Sequence, residues 1–293
     1  MGSLDPSVSR FACLEGAAPS APVGWSVRAP LQQAPTERRP PGGSLDPHPL
    51  GGFHSPVELD GILFDYGGTL DGPASHWLDR FVELYEAAGA PLPIERLKPA
   101  FYSADDAAYA DPTVAEMSLE ELMAFHVAVQ HDRLGLDDAA LRRALVNAFV
   151  ARTRAALVES RAVLARLAGR YRLGVVSNFY GNVGRILADA DFGPLLTVVA
   201  DSNRVGAMKP DRRIFDHALA ALGTAPARTL HVGDSHERDV RAARALGLRA
   251  AWLVPADRGI ASDPDADLVI TSLDELEDSL TRRNGATETV RNV

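Results

Sequence analysis

A single cysteine, Cys13, stands in 293 residues. No disulfide can close within one such chain, which excludes a stapled secreted scaffold and fits a reducing compartment. Long apolar runs are missing too. Nothing approaches the roughly 20 residues that a membrane-spanning helix requires, and the N-terminus lacks the continuous apolar core of a secretory signal. A cytoplasmic location with no membrane partner is the expectation. Positive charge is in short supply, with 30 Lys and Arg against 39 Asp and Glu, a net charge of −9 and a pI near 5.4. That balance argues against a nucleic-acid partner. It leaves room for an anionic substrate, because a metal and one lysine reverse the sign locally. The rest of the composition, 46% hydrophobic and 24% charged, is that of an ordinary globular protein.

Half of the 20 prolines fall in residues 1–56, among several glycines and with almost no apolar periodicity. Such a segment buries too little surface to offset its ordering entropy, so a disordered tail is expected there. The string GSLDP occurs at Gly2–Pro6 and again at Gly43–Pro47, too few copies for a repeat architecture. The first globular strand is expected over 61–65. About 100 residues then follow that read as helices without a strand signal. Trp77, Phe81, Leu84, Tyr85 and Ala88 form one stripe at helical spacing. Ser118 with Glu121 forms a capping box that opens a second helix, striped by Leu119, Leu122, Met123, His126 and Val129. A third carries Leu141, Leu145, Ala148, Phe149 and Arg152.

From Arg172 the texture becomes alternating, with strands predicted at 172–177, 197–201, 229–233, 249–254 and 267–270 and helices near 181–190, 211–222 and 236–246. Gly223 and Gly247 act as helix stops, and Ser272 with Glu275 opens a last helix. Alternation of this kind implies an α/β fold, a parallel sheet covered on both faces. The domains expected are a tail over 1–56, an α/β core from 57–72 and 171–283, a helical insertion over 73–170, and a second tail over 284–293. Nothing in the pattern fixes an oligomeric state.

Four motifs recur in order along this framework: ILFDYGGTLDG from Ile62, VVSNF ending at Phe179, GAMKPDRRIF ending at Phe215, and HVGDSHERDV ending at Val240. An apolar strand ending in Asp65 sets a carboxylate at the carboxyl edge of a sheet, where open α/β folds gather their chemistry. Together the four resemble the haloacid dehalogenase (HAD) superfamily over residues 57–282. The resemblance implies a Rossmann-like HAD core with an all-helical cap inserted after the first motif. It also implies a Mg²⁺-dependent hydrolase acting on a small phosphorylated substrate.

Residue by residue, the resemblance assigns Asp65 as the nucleophile that forms an aspartyl-phosphate. The carbonyl of Gly67 would be a metal ligand, with Asp234 a direct ligand and Asp239 a direct, water-bridged or loop-orienting one. The Ser177 hydroxyl and backbone donors of Asn178, with Thr69, would hold phosphate oxygens, and Lys209, just before a helix whose first turn suits Pro210, would neutralise Asp65 and phosphate. Attack on a phosphate dianion needs such a set: an attacking carboxylate, cations to cancel charge, and donors for the equatorial oxygens. Arg238 stands where the family often has asparagine.

One position departs from the pattern. Phosphatases of the family carry a second aspartate two residues after the nucleophile, as the acid that protonates the leaving group. Here that residue is Gly67. Loss of a general acid costs about 10²–10⁴-fold for a poor leaving group and less for a weakly basic one. Asp71 and His76 are the nearest replacements. The alternatives are a binder that keeps the fold without turnover, a dehalogenase, or a phosphonate hydrolase. A dehalogenase of this family needs no Mg²⁺ and has tyrosine two residues after the nucleophile, where Tyr66 is one residue after it. A phosphonate hydrolase needs a cap lysine, for which only Lys98 is present in the helical block. Within the cap and entrance, His126, Tyr102, Tyr109, His131, Arg133, Phe179, Tyr180 and Asn182 are candidates for substrate contact, and Trp252 is read as packing.

Overall fold

The computed structural model describes residues 58–72, 74–260 and 262–290, with side chains described as far as Thr281. The tail expected over 1–56, Cys13 and the two GSLDP strings lie outside these residues. Six parallel strands form one sheet in the order β3-β2-β1-β4-β5-β6. β1 (Gly61–Phe64) lies between β2 (Arg172–Ser177) and β4 (Thr229–Gly233), with β3 (Leu196–Asp201), β5 (Arg249–Leu253) and β6 (Leu268–Ile270) outward. Register is set on both sides of β1: Phe64 pairs with Val175 and with Val232. The chain winds from β1 through β2 to β3, then crosses back to β4 and winds the other way. The crevice beyond the carboxyl end of β1 is therefore the topological switch point, where doubly wound sheets bind ligands.

Alternation along the strands divides the core. Ile62, Phe64, Val175 and Val232 face one apolar cluster, while Leu63 and Val176 face the other. The second face is covered by α7 (Arg212–Leu222), whose Ile214, Phe215, Ala218 and Leu222 are buried against Leu63 and Val176. Asp211 caps this helix by accepting from the Arg213 N–H. Pro210 thus precedes the cap rather than occupying the first turn, and Lys209 stands in the loop before it. α5 (Val183–Asp189) is shorter than expected. The expected helix at 236–246 is a wide π-helical turn, His236–Arg241, followed by the short α8 (Ala242–Ala245). Such turns often occur at functional sites, because they re-aim a side chain without ending the helix.

Between β1 and β2 the chain is helical, with α1 (Trp77–Ala87), α2 (Ile94–Ala110), α3 (Leu119–Leu134) and α4 (Ala139–Leu167). α2 is the element the periodicity missed. Pro99 is its sixth residue and forgoes the bond to the Glu95 carbonyl without ending the helix. The stripes hold in part. Trp77, Phe81, Leu84 and Tyr85 are buried, but Ala88 is the exposed cap residue of α1. In α3, Val127 and Gln130 are buried where Val129 was expected. Arg152 is exposed and pairs with Glu83 at 2.7 Å. The far end of α4 reaches the sheet side, where Arg166 pairs with Asp274 and Glu277 of α9 (Leu273–Val290) at 2.7 Å each. α9 runs past the expected boundary at 283. At its start Ser272 accepts from the Glu275 N–H, but the Glu275 carboxylate takes the Thr271 N–H, one residue earlier than the box predicts.

The cap and the first sheet face share one apolar cluster, which runs from Phe64 and Val232 through Tyr66, Trp77 and Phe179 to Phe81, Phe101 and Phe149. At the start of α3, Ser118 and Glu121 exchange both hydrogen bonds of the capping box. Replacing Ser118 by alanine removes that exchange. We expect a stability loss of about 1 kcal/mol, read as a lower denaturant midpoint with an unchanged slope.

Candidate active site

Three strand ends deliver the site. Asp65 follows β1, and its N–H extends the ladder by bonding the Val232 carbonyl at 2.8 Å. Ser177 ends β2 and donates its hydroxyl to the Asp65 carboxylate. Asp234 follows β4, and the π-helical turn brings Asp239 back beneath it. Each of Asp65, Asp234 and Asp239 offers an oxygen within 4.8 Å of the others'. Into this group reaches Lys209, one of only two lysines in the chain. Its Nζ lies 2.8 Å from Asp65 and 2.6 Å from Asp239, and it is 3% exposed.

Two glycines are required by the crowding. Gly68 has φ +77°, and a Cβ there would stand 2.4 Å from Oδ2 of Asp234. A Cβ at Gly233 would stand 2.3 Å from Cγ of Asp239. The backbone has approached both carboxylates as closely as a residue without a side chain allows. Gly67 differs: nothing lies within 4 Å of a Cβ built there, and the residue lines the cavity in front of Asp65. The space for a side chain exists and is open.

Electrostatically the site is over-supplied with negative charge. Burial pushes Asp234 up to about 8, and the neighbouring Asp65 and Asp239 add to the rise. Burial also raises Asp65, against the pull of Lys209. Burial works the same way on Asp239, but Lys209 and His231 outweigh it and hold that carboxyl well below its ordinary range. Burial disfavours the Lys209 ammonium, yet Asp239 and Asp65 together keep its pKa above the usual lysine value. One ammonium thus serves three carboxylates. An all-oxygen set with excess negative charge, beside the free edge of Gly67, fits a hard divalent cation such as Mg²⁺. Asp65, Asp234 and the Gly67 carbonyl are the groups placed to hold it. Both oxygens of Asp239 already have protein partners: Oδ1 takes Lys209 and His231, and Oδ2 takes the Ser235 N–H at 2.9 Å. Of the roles foreseen for Asp239, orienting the site is the one this geometry favours.

The loops are held by groups that motif reading missed or assigned elsewhere. Asn178 lines the cavity, and its side-chain amide has a use the motif did not assign. Its side chain exchanges two hydrogen bonds with the Lys209 backbone, 2.7 and 3.0 Å, and so fixes the lysine. Thr69 does not line the cavity; its hydroxyl is buried and makes no hydrogen bond. Asp71 is no acid for the reaction. It is 1% exposed, pairs with Arg80 at 2.7 Å, accepts from the Trp77 indole at 2.5 Å and from the Gly68 N–H at 2.7 Å. His231, buried on β4, braces Asp239. Trp252 does more than pack, since its indole donates to the Asp234 carbonyl at 2.9 Å. The signal for these partners lay only in alternation along β4 and β5, which cannot distinguish a brace from a core residue.

The carboxylates open into a cavity of about 350 Å³ between sheet edge and cap. Asp65, Gly67, Ser177, Asn178, Lys209, Asp234 and Asp239 all line it. From the cap side come Trp77, Phe101, Tyr102, Asp105 and Tyr109, with Phe179 and Tyr180 from the loop after β2. Of the cap candidates, Tyr102, Tyr109, Phe179 and Tyr180 reach the cavity, whereas Asn182 bonds the Met117 carbonyl and Arg133 bonds Ser103. His126 and His131 are fully buried behind the lining.

Gly68→Ala should impose left-handed strain of about 1–3 kcal/mol and push Asp234 away. We expect a Mg²⁺ titration by calorimetry, saturable in the parent chain, to show no binding in this variant.

Comparison with known proteins agrees with this geometry. A phosphoserine phosphatase of Thermus thermophilus is 42% identical over 93 residues, covering 31% of this chain and 36% of that protein. A pyrimidine 5′-nucleotidase of Escherichia coli is 29% identical over 154 residues, 51% of this chain and 67% of that protein. Among solved structures, an L-2-haloacid dehalogenase superposes with a TM-score of 0.50 at 25% identity, covering 76% of this chain and 99% of that one. The chain spans about a third of the length of the first of these relatives. The pattern of the haloacid dehalogenase-like hydrolases matches residues 59–247. With its four motifs converging on one sheet edge and most of the chain carrying that pattern, this protein belongs to the haloacid dehalogenase-like hydrolase family.

Proposed function

We propose that the protein is a Mg²⁺-dependent phosphatase of a small phosphorylated metabolite, acting through an aspartyl-phosphate on Asp65. The observation that carries this reading is the group of three carboxylates, Asp65, Asp234 and Asp239, two of which share Lys209. Dehalogenation by this family needs no metal, and a site without one has no use for Asp234 pressed against Asp65. Mg²⁺, when bound, offsets the charge of the carboxylates and of the phosphate oxygens.

The chain's own residues do the rest. Lys209 cancels charge on Asp65 and on the incoming phosphate, which otherwise repel. Ser177 offers its hydroxyl to a phosphoryl oxygen, and Arg238 at the rim adds a cation. The Asp65 carboxylate attacks phosphorus, a P–O bond to carbon breaks, and the alcohol oxygen leaves with the bonding pair. Water then attacks phosphorus and returns the carboxylate with release of inorganic phosphate.

The proton for the leaving oxygen is the weak point. Asp71 is committed to Arg80 and Trp77. His76 lines the cavity, but its Nδ1 accepts from the Leu78 N–H. Burial and then Arg238 hold its pKa below that of free histidine. The ring is therefore neutral at pH 7 with its proton on Nε2, able to donate a hydrogen bond but a poor acid. The site as built favours leaving groups that are weak bases.

Two expectations follow from this chemistry. Asp65→Asn should abolish Mg²⁺-dependent phosphate release from every substrate, measured beside the parent chain with a panel that includes acyl phosphates and sugar 1-phosphates. Release that survives the change rules out Asp65 as nucleophile. Gly67→Asp, placed in open space, should fold normally. It should also raise the hydrolysis of butyl phosphate roughly 10²-fold, since a general acid is worth about 10²–10⁴-fold for such a leaving group. No gain would show that the missing acid is supplied from elsewhere.

A further inference from the structure

The half of the cavity away from the carboxylates is built differently from a sugar site. Aromatic residues make up 6% of the chain, yet Trp77, Phe101, Tyr102, Tyr109, Phe179 and Tyr180 supply six of the seventeen lining residues. They meet edge to face: Tyr109 on Tyr180 at 4.7 Å, Trp77 on Phe179 at 5.6 Å, Phe101 on Tyr102 at 5.4 Å. Among them sits one carboxylate, Asp105 of α2.

Asp105 is held by a chain of side-chain hydrogen bonds. Tyr180 donates its hydroxyl to Oδ1, and His126 Nε2 lies 3.2 Å from the same oxygen. Behind it, Gln130 Nε2 is 2.8 Å from His126 Nδ1, and Tyr85 donates to Gln130 Oε1 at 3.3 Å. His126 thus bridges Gln130 on its Nδ1 side and Asp105 on its Nε2 side. The ring of His126 is clamped flat on Phe81, 5.5 Å between centroids and 5° between planes. A polar chain buried in an apolar cap is costly unless every member is satisfied. This one is spent on fixing a single carboxylate on the cavity wall. Oδ2 of Asp105 accepts from none of the described residues.

Resting on the phosphatase reading above, we propose that the substrate is a phosphate ester of an ammonium alcohol, its cation seated among the aromatic rings against Asp105. Aromatic faces and one carboxylate with a free oxygen attract a cation with an apolar skin. The volume, near the low end of the roughly 300–1,000 Å³ range for ligand pockets, suits a small ester. An ammonium group also acidifies the neighbouring alcohol by induction, which eases its departure where Gly67 offers no acid.

Choline phosphate and 3,3-dimethylbutyl phosphate share a shape and differ by one charge, so they test the idea directly. With Mg²⁺, we expect the parent chain to prefer choline phosphate in kcat/KM by roughly tenfold or more. Asp105→Asn should cut that preference roughly tenfold through KM, because the departing alcohol is unchanged. A ratio near one in the parent, or one that Asp105→Asn leaves intact, overturns the inference. So does release from acetyl phosphate or cytidine 5′-monophosphate with none from either ester, an outcome that leaves the phosphatase reading standing. Silence toward every phosphate removes that reading instead. Calorimetric titration of the full chain with choline alone then decides: saturable binding lost in Asp105→Asn supports the cation site, and no binding overturns it. Should Asp105→Asn fail to fold, Tyr180→Phe keeps the ring and removes one donor to the carboxylate. A preference unchanged in that variant also overturns the inference.

Discussion

One ammonium shared between two buried carboxylates is the interaction on which the site depends. Lys209 reaches both Asp65 and Asp239 at under 3 Å, in a place where an unpaired charge of either sign would be expensive. Breaking a buried pair by removing one partner costs about 3–5 kcal/mol. The surrounding structure is arranged to keep that lysine still. Asn178 grips its backbone, while His231 and the Ser235 N–H steady the carboxylate that anchors its tip. The sheet supplies the convergence, since loops after three neighbouring strands can meet only beyond their carboxyl ends.

The same charge balance explains why the site invites a cation. With Asp234 pushed up to about 8 by burial and by its acidic neighbours, its carboxyl keeps its proton at pH 7, and a divalent cation there would displace that proton and take the carboxylate as a ligand. Glycine at 68 and 233 lets that crowding occur, because any side chain there would collide with Asp234 or Asp239. Gly67, two residues from the nucleophile, is glycine for no such reason: the space beside it is open. Its identity is a matter of chemistry rather than packing, which is why the absence of an acid there bears on the substrate.

The helical insertion contributes a second environment to the same cavity. The sheet edge brings oxygen ligands and a lysine, while α1 and α2 with the loop after β2 bring aromatic rings and Asp105. The apolar cluster runs unbroken from β1 and β4 into the cap, so the two halves are joined by packing as well as by chain. A substrate bound between them would meet positive charge at one end and negative charge at the other.

Sequence alone determined the fold and which residues gather at the sheet edge. Strand periods, helix stops and the order of the four motifs located β1, β2 and β4 within a residue or so. Wherever an apolar strand ends in a carboxylate, local pattern suffices to say that the carboxylate lies at the sheet edge. The partners of those residues were decided by tertiary structure. Asn178 could hold phosphate or backbone, Asp71 could be an acid or an anchor, and Thr69 could face in or out. Each has the same short-range sequence in either role, and only the packing of distant segments selects one. Asp105 is the clearest case. It lies on a helix that no apolar stripe announced, and its meaning depends on Tyr180 and His126, 75 and 21 residues away. Periodicity reports which face of a helix is apolar; it carries no information about which polar side chain another element will meet.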